Sequence, residues 1–147
     1  MWITPDAGSV KDNNARFVAV HPHLIEQGFI EFAKGVGSGP MFYAQSRKRG
    51  GQDANPLYKK PGERVAKWVR EIGITDPRLQ PNHGWRHRFK TLARKFDMDP
   101  GVRDYLQGHV PHAEGEKYGD FEPSVLLREI SKLPRYDIDG HPQTSDN

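Results

Sequence analysis

Five residues in this chain could perform chemistry on a phosphodiester, and their spacing is the first thing to weigh. His83 and Arg86 lie three apart in PNHGWRHRFK. On a helix, residues three apart share a face, so the two side chains would project together. A guanidinium grips two non-bridging phosphate oxygens with its planar fork, and an imidazole beside it can move a proton or donate a hydrogen bond to the same group. Further along, GHVPHAEGEKYGD holds Gly108-His109 and, nine positions past that histidine, Tyr118. The stretch is too polar to bury a phenol ring. Tyr118 is therefore either a half-exposed surface aromatic or a nucleophile, and a phenol with a pKa near about 10 needs activation to attack at neutral pH. Lys11, in the loop before Arg16, adds a fifth proton-carrying group.

The same histidines allow a competing reading. His83 and His87 have the four-residue spacing of a helical zinc pair, and His21, His23, His109 and His112 are further donors. No spacing among them requires a third ligand, and no HExxH glutamate is present. No metal site is expected.

The elements that must position these groups can be read from periodicity and punctuation. Trp2-Ile3-Thr4 and Arg16 to Val20 have the composition of two short strands joined by a Gly/Asp/Asn loop. Pro22 opens a helix with Leu24, Ile25, Gly28, Phe29 and Phe32 on one face, ending near Gly35 to Gly37. Met41-Phe42-Tyr43 fits a short strand, and 44–60 a long Gly/Arg/Lys-rich loop. A second helix follows Pro61, with Val65, Trp68, Val69 and Ile72 at core spacing. Pro81-Asn82 precedes a basic third helix in which Trp85, Phe89, Leu92 and Phe96 recur on the core side. Asp99 caps and Pro100 starts a fourth, with Val102, Tyr105 and Leu106 inward and Gly108 as its stop. The last helix, Pro123 to Leu133, turns Val125, Leu126, Ile130 and Leu133 inward. Residues 1–134 thus read as one domain, mostly α with a small antiparallel β-sheet, and 135–147 as a flexible tail without periodicity.

Composition narrows the partners. The chain has 147 residues, enough for a single core, and no stretch approaches the roughly 18 apolar residues of a membrane span. It has no cysteine, which excludes disulfides and thiolate metal sites and suits a reducing cytoplasm. Net charge is only +3, but it is unevenly spread. Arg78, Arg86, Arg88, Lys90, Arg94 and Lys95 occupy 77–96 without one acid, and Arg47, Lys48, Arg49, Lys59 and Lys60 form a second group. Clusters of this kind mark a face for a polyanion. Arg88, Lys90, Arg47, Lys48 and Arg49 are the expected phosphate contacts.

A lysine between two strands, then HxxR opening a basic helix, then GH, eight intervening residues and a tyrosine: this order resembles the catalytic domain of the tyrosine recombinases, the phage integrase family. The resemblance runs from about Trp2 to Leu133 and extends to HGWRHRFKTLARKFDMD, VRDYLQGH and RFVAVHPHLI. It implies the DNA breaking-rejoining fold, here truncated at its N-terminal side. It also implies Tyr118 as the nucleophile, forming a 3′-phosphotyrosyl link to double-stranded DNA and freeing a 5′-hydroxyl. His83 would assist deprotonation, and Arg86 would stabilise charge on the pentavalent phosphate. His109 would hydrogen-bond a non-bridging oxygen, and Lys11 would protonate the leaving oxygen. No cofactor is implied. The helix after Tyr118 would support self-association, as part of a tetrameric synapse in a full-length parent of bacterial or phage origin.

One part of the family pattern has no counterpart. Its first arginine lies on a helix well before the hairpin lysine, whereas only ten residues precede Lys11 here. Arg16, strand-bound and within the hairpin, is not expected to substitute for it. The chain is therefore expected to be a C-terminal part of a catalytic domain with little or no activity alone, since a lost phosphate-clamping charge removes several kcal/mol of transition-state stabilisation. Two alternatives stand beside this expectation: a non-catalytic DNA-binding remnant in which Tyr118 is idle, and a relative of the type IB topoisomerases.

Overall fold

The computed structural model describes residues 1–4, 15–43, 57–109, 121–137 and 142–143. Their elements are mostly helical, with two small antiparallel strand pairs. In order they are β1 (Trp2–Ile3), β2 (Arg16–Phe17), α1 (Pro22–Glu26), α2 (Phe29–Val36), a 3-10 turn (Leu57–Lys59), α3 (Lys60–Glu71), α4 (Pro81–Lys95), α5 (Pro100–Leu106), α6 (Pro123–Ile130), β3 (Arg135–Tyr136) and β4 (Pro142–Gln143). No helix among the described residues is long and apolar enough to cross a membrane. Contacts divide the chain into two compact units. The first comprises Met1–Gln27 with Phe89–Asn147, and the second Gly28–Arg88.

The first unit is built around a closed apolar centre. Ala93 of α4, Val102 of α5, and Leu126 and Ile130 of α6 are buried with Ala19 and Met98. β1 and β2 pair with Trp2 opposite Phe17 and Ile3 opposite Arg16, and the Trp2 and Phe17 rings meet edge to face at 5.7 Å. The strand pair is tied to α5 by the Phe17 amide, which donates to the Tyr105 hydroxyl at 3.3 Å. Asp99 caps α5 as its sequence position suggests, accepting from the Val102 amide at 2.9 Å.

Glu129, on the same helix as Leu126 and Ile130, is only 2 % exposed. It accepts from the Asp99 amide at 2.9 Å and from Lys132 Nζ at 2.7 Å, and Arg128 Nε donates at 3.1 Å. Lys132 also donates to the Asp97 carbonyl at 2.9 Å. These bonds, led by the Lys132 contact, hold the Glu129 carboxyl at a pKa of about 2 against the opposing effect of burial.

The second unit lacks such a centre. Among its described residues Val69 is the buried hydrophobic side chain, whereas Phe32, Trp68, Ile72 and Trp85 are exposed. Polar side chains clasp backbone carbonyls instead. Arg70 donates to the carbonyls of Ile74, Asp76 and Leu79, Arg64 to that of Phe42 at 2.9 Å, and Asn82 to that of Gly62 at 3.1 Å.

Several elements depart from the sequence reading. The helix expected from Pro22 to Gly35 is two helices, because Gly28 adopts φ +85 and interrupts the hydrogen-bond ladder. Met41-Phe42-Tyr43 forms bends rather than a strand, and its Phe42 ring stacks on Phe32 at 6.0 Å. Val65, Trp68 and Ile72 have core spacing yet lie exposed, and Trp85 is 55 % exposed. On α4 the expected Phe89 does pack against the core, together with Ala93. Arg135–Tyr136 pairs with Pro142–Gln143, and Arg135 makes a two-pronged ion pair with Glu26 at 2.7 and 2.8 Å. The start of the expected tail is therefore tied down.

Candidate functional site

α4 begins at Pro81, whose fixed φ and missing amide suit a first helical turn. Asn82 anchors that turn through its bond to Gly62. His83, Arg86, His87 and Arg88 follow, all exposed. The His83 and His87 rings meet edge to face at 4.6 Å, so they occupy one stripe of the helix. Among the described residues no group of three His, Cys, Asp or Glu side chains is placed to hold a metal ion.

From Phe89 onward α4 belongs to the first unit, and its next cation is drawn into a charged cluster. Lys90, half-buried, lies 3.8 Å from Asp104 Oδ1. Arg103 grips the same carboxylate with two bonds, Nε to Oδ1 at 2.9 Å and Nη2 to Oδ2 at 2.8 Å. His109 Nδ1 lies 3.5 Å from Asp104 Oδ1. The Arg103 hydrogen bond, with help from His109 and from the charges of Arg103 and Lys90, depresses the Asp104 carboxyl to a pKa of about 2. Asp104 therefore stays anionic and surrounded by donors.

His109 is held at its backbone as well. Its amide donates to the Asp104 carbonyl at 2.9 Å, and the Gly108 amide donates to that of Tyr105 at 2.9 Å. The residue is thus fastened to the end of α5 by main chain and side chain together. A carboxylate facing Nδ1 favours the tautomer with its proton there. In that neutral tautomer Nε2 is an acceptor, and it donates to a substrate oxygen only when the ring carries both protons.

The sequence-predicted residues fall into three groups. His83, Arg86 and Arg88 lie on the stretch of α4 in the second unit. Lys90 and His109 lie in the first unit and share Asp104. Lys11, Tyr118, Arg47, Lys48 and Arg49 lie outside the described residues. The sequence reading missed Asp104 and Arg103. The available signal was an acid five positions before the GH histidine, adjacent to an arginine, in VRDYLQGH. The C-terminal helix proposed for self-association has Leu126, Glu129 and Ile130 buried, while Leu127 is exposed.

No protein-family model matches the chain, and no match was found among curated proteins or solved structures.

Proposed function

We propose that this chain binds the phosphate backbone of double-stranded DNA and supplies the HxxR and GH parts of a tyrosine recombinase catalytic domain. One observation carries the reading. The GH histidine, His109, is fixed at the end of α5 by its amide and by the Asp104 carboxylate, which it shares with Lys90. The HxxR residues His83 and Arg86, with Arg88, stand at exposed positions in the second unit.

In this reading the Tyr118 phenol attacks phosphorus, and the 5′-oxygen departs with a proton from Lys11. Arg86 and His109 bind non-bridging oxygens, and His83 receives the phenolic proton. The phosphotyrosyl link conserves the energy of the broken bond, so a second 5′-hydroxyl can reseal the strand without a nucleotide cofactor. Arg88 and the Arg47-Lys48-Arg49 group contact neighbouring phosphates without reading sequence.

Binding is tested by titrating a labelled duplex at several salt concentrations. Affinity should fall steeply with salt, and Arg86→Ala and Arg88→Ala should each reduce the log–log slope by about one phosphate contact. Absent or salt-insensitive binding overturns the proposal. The chemistry is tested with a nicked suicide duplex and the longest chain that carries these residues, looking for a covalent adduct that resists SDS. The adduct should vanish in Tyr118→Phe. Salt-sensitive binding without any adduct would leave a non-catalytic DNA-binding module.

A further inference from the structure

Arg16 stands out among the arginines of the first unit. Arg103, Arg128 and Arg135 each engage a carboxylate, and Arg94 is exposed to solvent. The Arg16 side chain has no hydrogen bond or ion pair among the described residues, and its Nε is buried without any acceptor. A guanidinium carries five donors and cannot shed its charge. Leaving one of those donors dry and unpaired is unusual enough to ask what else is meant to meet the group.

The position of the side chain is fixed by its neighbours. β2 holds the Arg16 backbone opposite Ile3, and the next residue is tied to α5 through Tyr105. The guanidinium lies against Gly108. A β-carbon built on that glycine would sit 2.7 Å from Cζ, 2.8 Å from Nη1 and 2.9 Å from Nη2. Three such similar distances mean that the planar group presents its face to the glycine, so its N–H bonds run roughly parallel to the turn rather than into it. Gly108 is required on two counts: its φ of +64 disfavours a side chain, and the guanidinium fills the space one would need.

We infer that Arg16 is an anion ligand, a guanidinium laid over Gly108 so that it and the adjacent His109 can bind one phosphate group. This rests on the proposed DNA-binding reading for the identity of the phosphate, though not for the existence of the anion site. It also revises the expectation that a strand-bound Arg16 could not supply a phosphate-clamping charge. The Asp104 carboxylate does not compete for Arg16, because Arg103 already occupies both of its oxygens and Lys90 and His109 add to their neutralisation. An oxyanion entering beside Gly108 would find Arg16 the cation without a partner of its own.

The first experiment uses the intact chain and inorganic phosphate, followed through the arginine Nε–H resonances. The Arg16 resonance should shift in a saturable manner, whereas that of Arg103, bonded to Asp104, should not. In Gly108→Ala, where the added methyl displaces the guanidinium, the saturable shift should disappear. An Arg16 resonance that phosphate leaves unmoved overturns the inference. A shift that persists unchanged in Gly108→Ala overturns the geometry assigned to it.

The second experiment is duplex binding by Arg16→Gln and Arg16→Lys, each checked for an unchanged melting temperature. Arg16→Gln should lower affinity about tenfold and flatten the salt dependence by about 0.9, the value of one phosphate contact. Arg16→Lys should restore the slope but not the affinity, since the charge returns without the fork. If both variants bind duplex as the unaltered chain does, while Arg86→Ala is impaired, the inference fails and the DNA-binding reading stands. If phosphate moves Arg16 but the chain binds no duplex, the anion site stands and the DNA-binding reading fails.

Discussion

The two units of this chain solve the problem of holding helices in different ways. In the first, small and medium apolar side chains from α4, α5 and α6 meet in a centre from which water is excluded, and Leu126 and Ala93 are fully buried there. In the second, α3 and the opening of α4 carry large apolar residues that remain exposed, and side-chain bonds to backbone carbonyls do the fastening. Burial of a whole Leu side chain contributes about 2 kcal/mol, whereas an exposed hydrogen bond contributes about 1 kcal/mol net. The first unit should therefore set the global stability, and the second should open at lower cost. The candidate residues divide the same way. His109 and Lys90 sit on the well-packed unit, and His83, Arg86 and Arg88 on the lightly fastened one.

The largest effect that could break this comparison is cavity formation. Leu126→Ala should destabilise the chain by about 3 kcal/mol, measured by urea denaturation. A loss below about 1 kcal/mol would mean that the apolar centre is not what holds the fold. Glu129→Ala comes next, at about 2 kcal/mol, because it leaves the part-buried Asp99 amide without its acceptor.

The same carboxylate gives a pH test with a definite sign. Glu129 titrates at about 2 in the folded chain and at an ordinary 4.5 when unfolded. The unfolded state therefore binds the proton more readily, and the stability that Glu129 contributes is fully present above pH 4.5. That contribution is lost as pH falls from there towards 2. Asp104, also lowered to about 2, from 3.8, adds a loss of the same sign at slightly lower pH. The melting temperature should fall steeply over this range, and less steeply in Glu129→Gln. An equal pH slope in that variant would remove Glu129 from the account.

Smaller effects belong to the second unit. Arg70→Ala should cost about 1 kcal/mol and speed amide exchange through 72–80, with little change in the first unit. Protection lost equally in both units would show that they unfold together. Trp68→Ala, at a side chain 51 % exposed, should shift stability by less than about 1 kcal/mol. A loss comparable to that of Leu126→Ala would mean that Trp68 is covered in solution.

Much of the first unit was legible in the sequence because local signals and burial agree there. Asp99-Pro100 marked the start of α5, Gly108 marked its end, and the 3.6-residue pattern of α6 named Leu126 and Ile130. The second unit misled because periodicity reports which residues share a face, not whether anything covers that face. Val65, Trp68, Ile72 and Trp85 have impeccable spacing, yet each keeps more than a third of its surface exposed. The break at Gly28 was missed because one glycine in a helical pattern is often tolerated, and only a positive φ turns it into an end. For the candidate site, HxxR and GH could be picked out as short spacings. The Asp104 cluster depends on a contact between α4 and α5, and the face-on fit of Arg16 to Gly108 spans 92 positions, which no local pattern encodes.

The Glu129 junction has a consequence for the order of events during synthesis. The amide of Asp99, at the start of α5, finds its acceptor in a residue 30 positions downstream. A nascent chain emerges from the ribosome N-terminus first. When α4, α5 and the Gly108-His109 turn have already appeared, the carboxylate that completes the entry to α5 is still inside the exit tunnel. The Gly108-His109 turn is thus translated before α6 and locked only after it.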